Sequence, residues 1–316
     1  MFVVTNRNLQ TDESPEKRFG ETFNDRGPNE LRIAEAQKVG GVWQVEVLPD
    51  RLIYQGEERW ASEVAFLQGQ ARMREQKKNC LLFVHGFNTD FRSALETGHT
   101  LETLYGMEIV MFTWPSNAGG LHRVVDNYRS DKQDASLSIN AFDRCLEILN
   151  EYILKHRETD CGQKLSLALH SMGAFLFKKL LQSSIYEGET LLFDNVIMLA
   201  ADVNNQDHSE WMDKIKYRNR LYITINEDDF ALAASRAKPG PEQRARLGQL
   251  AQNLNSRNAI YLDFTDAPHV GDSHSYFQDD ALNNRIVRQI FEDAFNGRRA
   301  ERGLEYDLRS HAYRIY

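Results

Sequence analysis

The chain has 316 residues, of which 41% are hydrophobic and 27% charged. This is the balance of a globular protein, and it excludes the disordered and fibrous classes. The formal net charge of −8 argues against a general nucleic-acid binder, which needs a basic face.

Cysteine usage and the apolar pattern narrow the class further. Three cysteines without a C-x-x-C pair argue against a disulfide scaffold and against a cysteine-rich zinc site. The opening MFVVTNRNLQ lacks a basic segment followed by a long apolar stretch, so it does not predict a signal peptide. No apolar run approaches the roughly 20 residues that span a bilayer. The expected compartment is therefore the cytoplasm.

The first 50 residues are rich in predicted strands. Three short segments alternate or run apolar as strands do: 2–5, 31–34 and 43–47. The charged, glycine-containing stretch 10–30 predicts a long loop. Apolar residues at helical spacing then predict a helix over 58–77.

From residue 79 onward, short apolar runs alternate with helical patterns. The predicted strands are Cys80–Val84, Ile109–Trp114, Leu165–Leu169, Val196–Ala200, Leu221–Ile225 and Ile260–Phe264. The predicted helices are 90–105, 121–156, 172–185, 207–217, 229–237 and 279–296. This alternation predicts an α/β fold with a mostly parallel, doubly wound sheet that helices cover on both faces.

The same pattern predicts one domain over residues 1–297, in which the β-rich residues 1–50 extend the sheet in antiparallel fashion. The tail 298–316 has five arginines against three acids, and its apolar residues are spread thinly. The sequence leaves open whether this tail packs on the body or remains mobile.

A serine lies between a predicted strand and a predicted helix, in Leu169-His170-Ser171-Met172-Gly173. This is the context of a nucleophile elbow, where a sharp turn lifts a serine hydroxyl above the sheet and the usual pattern is G-x-S-x-G. Gly173 supplies the second glycine, whereas Leu169 replaces the first, and we predict that Leu169 is buried beside the turn. The alternative is an ordinary turn in which Ser171 caps the helix.

The strand that ends in Val84-His85-Gly86-Phe87 predicts half of an oxyanion hole. The glycine allows a tight turn, and the backbone N–H that follows it points into such a site. The N–H groups of Phe87 and Met172 are therefore the predicted donors. His85 is interpreted as a buried structural side chain rather than as a base.

A serine nucleophile needs a base, and the base needs an orienting acid. In the chain order Ser…Asp…His the base follows the last core strand, where His274 and His269 both qualify, and the glycine-containing loop before His274 favours it. The acid follows the strand before that one, which predicts Asp229, although Asp229 is also placed to be a helix cap. Asp202, after the preceding strand, is the alternative acid.

Four ordered motifs resemble a bacterial α/β-hydrolase family whose members carry V-H-G-[FY]-N, F-x-W-P-S, A-H-S-M-G and H-S-[YF]-F. They stand here as Val84–Asn88, Phe112–Ser116, Leu169–Gly173 and His274–Phe277. The start, Val4–Arg7, is similar to the family's T-[ND]-R after a first strand. Asp229–Leu232 matches the family's N-D-x-A-L-like acid segment, except that Asp228 replaces the asparagine.

This resemblance covers about residues 1–9 and 80–297, and Leu169 is its clear departure. It implies an α/β-hydrolase fold and a serine ester hydrolase, and it names no substrate.

These residues predict hydrolysis of a small-molecule carboxylic ester through an acyl-enzyme, with Ser171 as nucleophile, His274 as base and Asp229 as acid. The chemistry needs no metal and no organic cofactor. The oligomeric state is not predicted.

Two alternatives come from other functional classes. A binding or partner module of the same fold remains open, because a fold alone does not guarantee chemistry. A metal-dependent hydrolase would use His85, His170, Asp202 and His208 as ligands, but no H-E-x-x-H or comparable spacing supports it.

Overall fold

A computed structural model describes residues 1–116, 124–156, 162–236 and 244–316. The chain divides into two compact units, Met1–Lys164 and Leu165–Tyr316. The single domain expected over residues 1–297 stays a prediction.

The described residues of the first unit form nine strands and four helices. The strands are β1 (Phe2–Thr5), β2 (Arg7–Leu9), β3 (Phe19–Phe23), β4 (Arg32–Val39), β5 (Val42–Val47), β6 (Arg51–Tyr54), β7 (Glu57–Trp60), β8 (Cys80–Val84) and β9 (Glu108–Thr113). The helices are α1 (Ala61–Gln76), α2 (Phe91–Tyr105), α3 (Val124–Leu137) and α4 (Ile139–Lys155).

The sheet of this unit is parallel in its centre and antiparallel at its edge. β9 pairs in parallel with both β8 and β1, β4 pairs antiparallel with β1, and β5 pairs antiparallel with β4. The predicted antiparallel extension is therefore confirmed for β4 and β5. It is wrong for β1, whose four residues are all buried, as is usual for a strand inside a parallel sheet.

Helices α1 and α2 cover opposite faces of this sheet. Gly69 of α1 lies against the ring of Phe2, and Gly98 of α2 lies against Met111. Phe2 is paired with Val110, the residue before Met111, and successive residues of a strand point to opposite faces. The predicted covering of the sheet on both faces is confirmed for this unit.

Three local predictions in this unit are wrong. Part of the expected loop forms β3, which pairs antiparallel with β2, and the start of the expected helix 58–77 is strand β7, which pairs with β6. The four strands have only three to five residues each, so they are too short to carry a clear apolar pattern. Over residues 124–156 the expected helix 121–156 is two helices, α3 and α4, and its first three residues lie outside the described part of the chain. The hydroxyl of Ser138, between them, donates to the carbonyl of Asp134 at 2.8 Å, a bond that competes with the helical ladder.

The described residues of the second unit form six strands and four helices. The strands are β10 (Leu165–His170), β11 (Asn195–Leu199), β12 (Arg220–Ile225), β13 (Ala259–Asp263), β14 (Glu305–Asp307) and β15 (Ala312–Arg314). The helices are α5 (Met172–Gln182), α6 (Ser209–Met212), α7 (Phe230–Arg236) and α8 (Arg285–Phe295).

Strands β10 to β13 pair in parallel in chain order, as the apolar runs predict. The tail adds two strands beside them, because β15 pairs in parallel with β13 and β14 pairs antiparallel with β15. The tail therefore packs on the body of this unit. Parallel strands that alternate with helices confirm the α/β class.

Several helices of the second unit are shorter than the sequence predicts. The expected helix 207–217 is reduced to the four residues of α6, and the expected helix 279–296 starts as a separate 3₁₀ turn. Helix α8 begins only after Asn284, whose side chain accepts hydrogen bonds from the N–H groups of Ile286 and Val287 and so fixes the start. No helix among the described residues is long and apolar enough to cross a membrane.

Candidate active site

Ser171 is the single residue between the end of β10 and the start of α5. Its backbone has φ 53° and ψ −116°, a strained combination for any residue except glycine. Three hydrogen bonds hold the turn: Ser171 N–H donates to Leu199 O at 2.9 Å, and Ser171 O accepts from Asp202 N at 3.1 Å and from Ala174 N at 3.0 Å. This is the sharp strand-to-helix turn of a nucleophile elbow.

The leucine that replaces the first glycine of the elbow pattern is accommodated in the core. Leu169 is fully buried and lies opposite Met198 of β11. The prediction that Leu169 is buried is confirmed. Because Ser171 itself has the strained backbone of an elbow, the departure at Leu169 has not altered the turn.

Asp229 and His274 form the second element of the site. Asp229 follows β12, its side chain is fully buried, and its Oδ2 lies 2.7 Å from Nδ1 of His274. Its other oxygen, Oδ1, accepts the N–H of Leu232 at 2.9 Å in the first turn of α7. One carboxylate thus fills both roles that the sequence left open, as helix cap and as partner of a histidine.

The contact with Asp229 determines which nitrogen of the His274 ring carries a hydrogen. A carboxylate only accepts hydrogen bonds, so Nδ1 carries a hydrogen, and in the neutral ring Nε2 then has the free lone pair. The side chain of His274 is 23% exposed. Its ring centroid lies 4.7 Å from that of His170, the residue before Ser171. The ring of His274 therefore lies beside the residue that precedes Ser171.

Ser171 and His274 are not joined by a hydrogen bond in this structure. The hydroxyl of Ser171 makes none to any described residue, and its side chain is almost wholly buried. Contacts between a nucleophile and its base are often long in enzymes without substrate. The complete triad thus stays a prediction.

Asp202, the alternative acid, is committed elsewhere. Its Oδ1 lies 2.9 Å from Nε of Arg246 and accepts the hydroxyl of Ser235 at 2.8 Å. Both charged side chains of this ion pair are 3% exposed. The structure therefore joins His274 to Asp229 and joins Asp202 to an arginine that no sequence motif singled out.

The two predicted oxyanion donors lie in different units. Met172 N–H is the first of α5, where a helix leaves its N–H groups without a partner inside the helix, and it is directed away from the helical ladder. Phe87 follows β8 in the first unit, and its ring packs edge-to-face on Tyr128 at 5.6 Å between centroids. Its role as a donor stays a prediction.

His85, also in the first unit, is the buried structural side chain that the sequence suggests. Its Nδ1 lies 2.9 Å from Gly86 O, and its Nε2 lies 2.8 Å from Thr113 Oγ1 and accepts the N–H of Trp114 at 3.2 Å. Burial, and then the charge of Arg7, lower the pKa of His85 to about 3. Both ring nitrogens are therefore used, and the ring stays neutral.

The four residues of the metal alternative have other partners. The ring of His208 is held by Asn205 O and by the hydroxyl of Tyr261, both at 2.6 Å, and Asp202 pairs with Arg246. His170 bonds the backbone of His274. Over residues 1–116, 124–156, 162–236 and 244–316, no group of three His, Cys, Asp or Glu side chains is placed to hold a metal ion.

Sequence reasoning missed the residue that links the acid to the histidine. Asn226 is fully buried, and its Nδ2 donates to Gly271 O at 2.9 Å and to Ser273 O at 3.0 Å. Its Oδ1 accepts the N–H of Asp228 at 3.2 Å. The only signal in the sequence is its place at the end of β12, three residues before Asp229.

A glycine brings a third segment against the site. Gly248 N–H donates to Ala201 O at 3.1 Å, and a Cβ on Gly248 would lie 2.3 Å from Ala201 N. The neighbouring Gln249 donates from Nε2 to the carbonyl of Asp229 at 3.2 Å. Only glycine allows this approach to the backbone that follows β11, so the segment braces the turn of Asp229.

Comparison with known families agrees with this architecture. A family described as alpha/beta hydrolase of unknown function (DUF900) matches residues 64–282, which is more than half of the chain. The matched stretch contains Ser171, Asp229 and His274. A search of curated proteins gives no significant match.

Proposed function

We propose, from the premise that the chain belongs to the alpha/beta-hydrolase family of unknown function DUF900, that it is a serine hydrolase that cleaves carboxylic esters. The α/β-hydrolase fold places it among hydrolase-like proteins. The reaction at an ester, and the roles of the three residues, are the proposal.

The observation that carries the proposal is the contact of 2.7 Å between His274 Nδ1 and a fully buried Asp229. A buried carboxylate that holds one ring nitrogen leaves the other as a proton acceptor and stabilises the imidazolium that forms. The strained Ser171 in the same unit supplies a nucleophile at the end of β10, which β11 separates from β12 in the sheet. A serine that only capped a helix would need neither a strained backbone nor a histidine held by a buried carboxylate in the same unit.

The proposed reaction has two halves. Ser171 Oγ attacks the ester carbonyl carbon while His274 Nε2 takes its proton, and the imidazolium returns that proton to the departing alcohol. Water then attacks the acyl-enzyme with His274 again as base, which releases the acid and restores Ser171. Asp229 stays ionised throughout and holds the ring in the productive tautomer.

The oxyanion that forms in each half needs hydrogen-bond donors. Met172 N–H is the first proposed donor, because it opens α5 directly after the nucleophile. Phe87 N–H is the second, on the sequence argument. One such donor contributes about 3 kcal/mol to transition-state stabilisation in comparable sites.

A second function is favoured by one observation, the lack of a hydrogen bond between Ser171 and His274. A non-catalytic binding module would have no need of that bond. In the esterase, by contrast, Nε2 and Oγ pair when an ester enters the site. The two functions differ in whether Ser171 is reactive.

The discriminating experiment measures p-nitrophenol release from esters of short to long acyl chains, together with labelling by a fluorophosphonate probe. We expect the wild type to turn over at least the short esters and to be labelled at Ser171. Ser171→Ala and His274→Ala should each lose nearly all turnover, and the double variant should be little worse, because the residues act as a unit.

Ser183→Ala, at the end of the same helix, is the matched control and should react as the wild type does. If the wild type is neither labelled nor active on any ester, the binding module is the better description.

A further inference from the structure

The backbone around His274 is anchored from two sides. Asn226 binds the carbonyls of Gly271 and Ser273, which precede His274. On the other side, Nε2 of His170 lies 3.1 Å from the carbonyl oxygen of His274 itself. Gly271 has φ 51°, a left-handed conformation that marks the segment as a turn. A turn of this kind keeps one conformation only where side chains hold it.

His170 makes the more informative of these contacts. A carbonyl oxygen only accepts, so Nε2 of His170 carries a hydrogen and donates it. The ring lies between two aromatic neighbours, with centroid distances of 4.7 Å to His274 and 5.1 Å to Phe277. His170 precedes Ser171 in the chain. This hydrogen bond therefore connects the turn that contains Ser171 to the backbone of the proposed base, His274.

The bond to Asp229 alone does not fix where Nε2 of His274 points. It sets the tautomer and one atom of the ring, while the carbonyl bond from His170 sets the backbone from which the ring projects. Misplacement of a catalytic group by about 1 Å costs about 100-fold in rate. The contact of His170 with the backbone of His274 joins the residue beside the nucleophile directly to the proposed base.

We infer that His170 is a positioning residue that holds the backbone of His274 beside the turn that carries Ser171. The inference rests on the proposed function for its effect on turnover. It makes a separate statement about the placement of His274, which can be measured without a substrate.

The test compares two replacements of His170. His170→Phe removes the donor and keeps a ring between His274 and Phe277, whereas His170→Gln keeps an amide N–H near the position of Nε2. His170 is only half-buried, so we expect both variants to fold with little change in Tm. His269→Asn, at an exposed histidine, is the control.

We expect kcat for p-nitrophenyl acetate to fall about 10- to 100-fold in His170→Phe, with KM changed less than about threefold. His170→Gln should recover most of the loss. A structural role alone would lower Tm in both variants and would not separate them in kcat.

The second readout is the proton resonance of the His274 Nδ1–H group, identified by its loss in His274→Ala. We expect it to shift or broaden in His170→Phe and to return in His170→Gln. If the wild type has no esterase activity while this resonance responds as expected, the proposed function fails and the positioning role stands. Unchanged kcat in an active His170→Phe variant, or an unchanged resonance in an inactive protein, overturns the inference.

Discussion

Two histidines that the motifs single out, His274 in the second unit and His85 in the first, lie in opposite environments. The side chain of His274 is partly exposed, one ring nitrogen meets a buried carboxylate, and the other has no hydrogen-bond partner among the described residues. His85 is 2% exposed, and both of its ring nitrogens are hydrogen-bonded. Only the first arrangement leaves a nitrogen that can take a proton.

The direction of the hydrogen bonds around His85 explains its inertness. Nδ1 of His85 donates to Gly86 O and the ring is neutral, so Nε2 carries no hydrogen and accepts the hydroxyl of Thr113, whose oxygen in turn accepts from Arg7 Nε at 2.9 Å. The N–H of Trp114 also donates to that nitrogen. A proton on Nε2 would break the contact with the N–H of Trp114 and would place a second positive charge near Arg7. The hydrogen-bond partners of a histidine therefore decide whether it can act as a base. A position at the end of a strand is not sufficient for that role.

The largest expected effect comes from removing the carboxylate that holds Nδ1 of His274. In Asp229→Asn, the amide N–H₂ facing Nδ1 would favour the other tautomer, in which Nε2 carries the hydrogen and no longer accepts one. We expect kcat to fall about 10⁴-fold. The remaining side-chain oxygen can still cap α7, so Tm should change little.

Steady-state kinetics with a p-nitrophenyl ester check the loss, and circular dichroism checks the fold. Turnover within tenfold of the wild type would remove Asp229 from the mechanism.

Asp202 lies close to the nucleophile, because its backbone N–H donates to Ser171 O. Its side chain, however, pairs with Arg246. Asp202→Asn removes the carboxylate charge that lies 2.9 Å from the buried guanidinium of Arg246, and breaking a buried pair in this way costs about 3–5 kcal/mol. We expect the loss in the free energy of unfolding, measured by urea denaturation, while the folded fraction keeps its kcat.

Arg246→Met in the Asp202→Asn background is the matched control and should recover part of the stability, because the guanidinium charge is then no longer buried. A loss of kcat as large as that of Asp229→Asn would make Asp202 the acid.

The elements of the comparison were not equally predictable. Ser171, His274 and Asp229 follow from a strand–turn–helix pattern and from the order of residues along the chain, which are local signals. The choice between Asp229 and Asp202 is not local, because it depends on whether Arg246 folds back onto Asp202. Nothing in the residues beside Asp202 indicates that contact.

The fold shows the same division. Continuous apolar runs predicted β8 to β13 except for their ends, since burial on both faces leaves a strong pattern. The pairs β2–β3 and β6–β7 were missed, because their strands are too short to carry a clear apolar pattern. Asn226 and His170 were missed as anchors because their partners are backbone carbonyls, which no side-chain motif encodes.

The environment of His85 predicts a loss of stability in acid. Its pKa is about 3 in the folded protein against 6.5 for an unperturbed histidine, so the unfolded chain binds the extra proton below pH 6.5. The contribution of His85 is therefore complete above pH 6.5 and is lost as the pH falls toward 3, at about 1.4 kcal/mol per pH unit. At pH 5 the expected loss is about 2 kcal/mol.

The measurement is the free energy of unfolding of wild type and His85→Asn between pH 7 and pH 5. Asp134 acts in the opposite sense over part of this range, because burial and then the charge of Asp131 raise its pKa to about 6. Both proteins contain Asp134, so its contribution cancels in their difference. Equal pH slopes for the two proteins would show that His85 is charged in the folded state.

The smallest expected effect concerns His269, which also follows the last core strand and therefore satisfies the same positional argument as His274. It is exposed, has φ 71°, and forms no hydrogen bond with any described residue. Asparagine tolerates this left-handed backbone, so His269→Asn removes the imidazole without adding strain. Because no carboxylate holds the ring and no packing fixes it, we expect kcat within about twofold of wild type and a free energy of unfolding within about 0.5 kcal/mol. The pair His269→Asn and His274→Asn, measured on one ester, therefore separates position in the chain from the environment of the ring. Similar losses of kcat in the two variants would mean that the contact with Asp229 is not what makes His274 the base.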